Sequence, residues 1–96
     1  MSYLSVRDLP VRVTNDIEKR IKSVRNRQHL PMHKDLLITF YNGYKLSIII
    51  GFATFDSYEM AVMKGNRMIE TEFGDAIYRT NSEQEVVDII RKVSLL

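Results

Sequence analysis

Glu59, Glu70 and Glu72 form the one carboxylate cluster that neighbouring strand-like runs would bring together, which raises a choice between acid–base chemistry and a charged surface. Paired carboxylates do acid–base work when an apolar cleft splits their pKa values. Residues 58–73 (YEMAVMKGNRMIETEF) alternate in polarity about Gly65-Asn66, a two-residue hairpin signal. In that register Val62 faces Ile69, Met60 faces Thr71 and Tyr58 faces Phe73, all on the side that packs. The other side carries Glu59, Ala61, Met63, Met68, Glu70 and Glu72. On an open sheet face carboxylates stay ionised and solvated, so this is a solubilising or contact surface and not a catalytic pair. Glu59 would stand opposite Glu72, a like-charge pair that a partner's Lys or Arg relieves. Met63 and Met68 supply adaptable apolar contact. Glu59, Met63, Met68, Glu70 and Glu72 are therefore the expected protein-binding residues.

Other chemistry finds little support. His29 and His33, with Asp35 nearby, invite a metal, but Pro31 breaks the helix that would align ligands at four-residue spacing. The chain has no cysteine, hence no disulfide, thiolate site or thiol nucleophile. Phosphate-loop, nucleophile-elbow and His-Glu-x-x-His motifs are missing. No catalytic residue, metal or cofactor is expected, and an enzyme is not.

Charge is split along the chain. Residues 1–45 carry +5 and residues 46–96 carry −3, within a net +2. Such asymmetry suits a nucleic-acid surface, a protein partner or self-association. Val13, Ile17, Ile21 and Val24 recur at helical spacing, Thr14 or Asn15 can cap, and Asp16 and Glu18 suit a first turn. The pattern predicts a helix over 14–27, ended by the connector HLPMHKD. Its Lys19, Arg20, Lys22, Arg25 and Arg27 are the candidate phosphate contacts, spread widely around the wheel.

The elements that position these residues follow from patterning. Asn42-Gly43 between LLITFY (36–41) and YKLSIII (44–50) predicts a hairpin with a two-residue turn. That register pairs Tyr41 with Tyr44, Thr39 with Leu46 and Leu37 with Ile48, and sets Leu36, Ile38 and Phe40 on the reverse face with Lys45 and Ser47. Phe40, Tyr41 and Tyr44 are expected to pack rather than stack on bases, because no RNP1-like consensus accompanies them. Residues 76–79 (AIYR) form a short strand or an extended entry to the next helix. Ser82 to Glu85 read as a capping box, with Ser82 bonding forward and Glu85 reaching back, ahead of apolar Val86, Val87, Ile89, Ile90 and Val93. The expected fold is α+β, one domain over 1–96. A basic helical segment (1–35) precedes two hairpins and a C-terminal helix (36–96), in the order α-β-β-β-β-α. The four-stranded antiparallel sheet has its helices mainly on one face. The 96 residues are 45% apolar and 27% charged, which fits a globular chain, and no apolar run reaches membrane-span length. The start MSYLSVRDLP lacks the features of a secretory signal.

FYNGYKLSIIIG, YEMAVMK and GDAIYRTNSEQEVVDIIRKV together resemble small accessory proteins of tailed bacteriophages. Those carry an NGY-x-LSII-G-like strand, a FEVAVL-like strand, a D-V-x-G-Y-like segment and a T-x-E-E-V helix. The resemblance spans about the last three-fifths of the chain and excludes the basic N-terminal segment. It implies a small soluble α+β protein, brings no catalytic or cofactor residues, and points towards host takeover or anti-defence binding in the host cytoplasm. The expected function is therefore to bind and modulate or inhibit a host protein. Nucleic-acid binding through the basic helix and self-association as a homodimer or higher oligomer are the alternatives.

Overall fold

A computed structural model describes residues 3–4, 12–26, 33–51, 57–69 and 77–96. The strands are β1 (Tyr3–Leu4), β2 (Ile21–Asn26), β3 (His33–Phe40), β4 (Tyr44–Gly51), β5 (Tyr58–Lys64), β6 (Arg67–Met68) and β7 (Ile77–Thr80). The helices are α1 (Asn15–Glu18) and α2 (Glu83–Ser94). Strands β1 to β5 pair antiparallel in chain order, and β6 and β7 both pair with β5. The fold is α+β, with a sheet wider than the four strands expected.

The β3–β4 hairpin has a different register from the expected one. Ile38 pairs with Leu46, Leu36 with Ile48 and Thr39 with Lys45, so the loop holds three residues, Tyr41, Asn42 and Gly43. Gly43 has φ +90° and donates its N–H to the Phe40 carbonyl at 3.2 Å. This is the glycine position of a three-residue hairpin loop, where a left-handed residue matches the strand twist. Slipping the pairing by one residue reverses the face of one strand relative to the other. The result sorts better by polarity: Leu36, Ile38 and Phe40 join Leu46 and Ile48 on one buried face. Leu37 and Thr39 join Lys45 and Ser47 on the other. Tyr41 pairs with nothing across the turn and is 70% exposed.

The expected helix over 14–27 is one turn long. Thr14 sits at the N-cap in extended conformation, and its hydroxyl bonds the Asp16 carboxylate and holds that carboxyl below its ordinary pKa. The helix ends by Lys19, and residues 21–26 become β2 against β3. The apolar stripe is buried all the same: Ile17, Ile21 and Val24 are core residues, with Val13 packed on them. Ile21 and Val24, three apart, would lie on opposite faces of a regular strand. Ile21 pairs with Phe40 while Ser23 pairs with Thr39, so Lys22 is an extra residue in a bulge. The bulge returns both apolar side chains to the face of Ile38 and Phe40. The described residues within 1–35 therefore supply strands and a single helical turn rather than a long basic helix, and β3 begins inside the expected connector, at His33.

On β5 the Gly65-Asn66 turn has the expected register, with Met63 opposite Met68 and Val62 accepting from the Ile69 N–H at 2.9 Å. Thr71 and Phe73 lie outside the described residues. The positions opposite Met60 and Tyr58 belong instead to Tyr78 and Thr80 of β7. Helix α2 lays Val86, Ile89, Ile90 and Val93 on the face formed by Ile38, Phe40, Leu46, Ile48, Met60 and Val62, where Ile17 also lies. Half of the capping box forms: Ser82 Oγ accepts from the Glu85 N–H at 3.3 Å. The Ser82 N–H goes to Thr80 Oγ1 at 3.0 Å, which frees the Glu85 carboxylate to accept from the Tyr78 hydroxyl at 2.9 Å.

Phe40→Ala should cost about 3–5 kcal/mol in urea denaturation, against less than about 0.5 kcal/mol for Tyr41→Ala. Equal costs would refute the three-residue loop. Hydrogen bonds from Thr80 first and Tyr78 second hold the Glu85 carboxyl below its ordinary 4.5. Stability from a lowered carboxyl pKa is present above the unfolded value and lost as pH falls through the folded one. The stability gap between the native chain and Glu85→Gln should therefore narrow as pH drops below 4.5.

Candidate functional site

The face of the sheet opposite α2 is built as a grid, because paired residues share a side. One row runs Asp35, Ile49, Glu59, Arg79; the next runs Arg25, Leu37, Ser47, Ala61; the third runs Ser23, Thr39, Lys45, Met63, Met68. Ser47 and Ala61 are small residues side by side on adjacent strands, with Ile49 and Glu59 along one flank and Met63 along the other. Their small side chains leave an open groove of about 370 Å³, lined chiefly by Ser47, Ile49, Ala61, Met63 and Met68, with Glu59 at one end. Met68 is 56% exposed at the rim. No described helix packs on this face.

Three of the five expected contact residues, Glu59, Met63 and Met68, line this groove; Glu70 and Glu72 lie outside the described residues. At Glu59 the electrostatics differ from the expected like-charge pair. Glu59 stands opposite Arg79, not Glu72, and Arg79 Nη2 lies 2.8 Å from Glu59 Oε2. The charge thought to need a partner's cation is matched by a cation within the chain. Only 25% of the Glu59 side chain is exposed, against 59% for Arg79, so the pair sits at the edge of the groove with its cation outward. Sequence patterning set Ala61 on this face without naming it a contact, and missed Ser47 and Ile49 as its neighbours. The small-small adjacency of Ser47 and Ala61 was the available signal, but it requires the β4–β5 pairing.

The basic candidates do not share a helix. Lys19 follows α1, and Arg20 turns back to Asp16, with Nη1 at 3.6 Å from the carboxylate. Lys22 is the exposed bulge residue of β2, and Arg25 lies on the groove face. Arg27 and His29 lie outside the described residues. Among the described residues no group of three or more His, Cys, Asp or Glu is placed to hold a metal. No helix among them is long and apolar enough to cross a membrane.

Set against protein-family models, curated proteins and solved structures, the chain matches none of them.

The Glu59–Arg79 pair is half in water, so its coupling should be below about 1 kcal/mol. A double-mutant cycle with Glu59→Gln and Arg79→Ala, followed by urea denaturation, checks this. A coupling several times larger would make the pair a structural clamp rather than a surface match.

Proposed function

We propose that this chain is a small non-enzymatic protein of the tailed-phage accessory type. It binds a host protein, in the simplest case a component of a defence system, and modulates or inhibits it. The observation that carries this reading is the groove over Ser47 and Ala61, an apolar depression on the sheet face opposite α2, with an exposed methionine at its rim. Apolar surface of this kind is what partners cover, and methionine adapts to varied shapes. A sheet floor with flexible walls suits apolar side chains presented by another protein. The non-enzymatic reading rests on the lining, whose one carboxylate among the described residues, Glu59, is engaged by Arg79. The phage resemblance of the strand and helix motifs supplies the setting. Nucleic-acid binding is the weaker reading, since Lys19, Arg20, Lys22 and Arg25 are spread over a turn, a bulge and a sheet face.

The test is capture by the tagged chain from nuclease-treated bacterial lysate, alongside Ala61→Arg, which fills the floor, and Met68→Asp, which charges the rim. One stoichiometric host protein should be retained by the native chain and lost from both variants, with thermal midpoints little changed. Retention by both variants would remove the groove from consideration. Capture seen only in a parallel lysate left untreated with nuclease would favour the nucleic-acid reading.

A further inference from the structure

Asn42 stands on the surface at the tip of the β3–β4 loop, yet its side chain is fully engaged. Nδ2 donates to the Val93 carbonyl at 2.8 Å and to the Leu96 carbonyl at 3.2 Å, while Oδ1 accepts from the Tyr44 N–H at 3.0 Å. The amide orientation follows from its partners, since both carbonyls only accept and the Tyr44 N–H only donates. The last carbonyls of a helix have no partner within it, so Asn42 caps the C-terminal end of α2 from across the fold. Of the chain's asparagines, Asn42 alone precedes glycine. Glycine offers no Cβ to hinder attack by its own nitrogen on the preceding side chain, and Asn-Gly is for that reason prone to spontaneous deamidation.

We propose that Asn42 is a deamidation site controlled by this clasp, and that its conversion releases the end of α2. The Gly43 nitrogen attacks Asn42 Cγ, the Cγ–Nδ2 bond breaks, and ammonia leaves carrying the Gly43 proton. Water then opens the succinimide at either carbonyl, leaving an aspartyl or isoaspartyl residue at position 42. In the native fold both reacting groups are held away from this path: Gly43 N–H is bonded to the Phe40 carbonyl at 3.2 Å, and Nδ2 is bonded to α2. Reaction requires the clasp to open. The product cannot close it, because a carboxylate has no donor for the Val93 and Leu96 carbonyls and carries a negative charge at the negative end of the helix dipole. The isoaspartyl form also adds a methylene to a loop whose length sets the register of the sheet. The clasp thus works in one direction, from a tied helix end to a free one.

The full chain is incubated at mildly alkaline pH in native buffer and in denaturing urea, and conversion at residue 42 is followed by peptide mapping. Conversion should be at least several-fold slower in the native chain. Thermal melts of Asn42→Ala and Asn42→Asp then separate loss of the donor from addition of the charge. Asn42→Ala should lower Tm by roughly 4–8 °C, and Asn42→Asp by more. Equal conversion rates in the two buffers would overturn control by the clasp. A Tm for Asn42→Asp equal to that of the native chain would overturn release of the helix.

Discussion

The length of the loop at Tyr41, Asn42 and Gly43 is the constraint on which the rest of the structure depends. With three residues between β3 and β4, Phe40 and Ile38 fall on the same side as Leu46 and Ile48. That shared side is continuous with Met60 and Val62 of β5 and with Ile21 and Val24 of β2. On that side α2 buries Val86, Ile89, Ile90 and Val93. Each such side chain contributes about 1.5–3 kcal/mol by leaving water, so a loop that mixed the two faces would forfeit much of the core. Gly43 permits the loop through its positive φ, and Asn42 ties it to the helix that the resulting face collects.

The two sides of the sheet consequently carry different tasks. One is filled by branched aliphatic residues, Met60 and Phe40, with both described helices upon it. The other mixes charge, hydroxyls and methionines, and its middle row narrows to Ser47 and Ala61, which makes a groove instead of a ridge. Glu59 and Arg79 neutralise each other at its edge. At Glu59 a partner using this groove would meet shape and apolar contact more than a free negative charge, because that carboxylate is already matched by Arg79.

Much of the core was legible in the pattern of apolar residues, and less of the secondary structure that buries it. Val13, Ile17, Ile21 and Val24 were marked for burial by their spacing, and all four are in or against the core. The same spacing described a helix only as far as Glu18. A bulged strand also places residues three apart on one side, and pairing with β3 outweighs the weak helix propensity of Ile21 and Val24. For the candidate site, alternation along β5 put Glu59, Met63 and Met68 on one face. The neighbour of Glu59 could not be named, because a strand about twenty residues away in sequence, β7, competes for the same edge of β5 as the local hairpin partner.

Sequence by itself determined the local properties of this protein: which segments are apolar, where glycine allows a turn, where Ser82 starts a helix, and that the Gly65-Asn66 hairpin closes with Met63 opposite Met68. These depend on residues close along the chain, whose covalent geometry leaves few choices. Tertiary structure alone decided the face on which β3 presents its side chains, the conversion of residues 21–26 to strand, the match of Glu59 with Arg79, and the clasp of Asn42 on α2. Each of those is a choice between partners that are locally almost equivalent. Choices of that kind are settled by burial summed over the whole sheet and its helix, a quantity that exists only once the chain has folded.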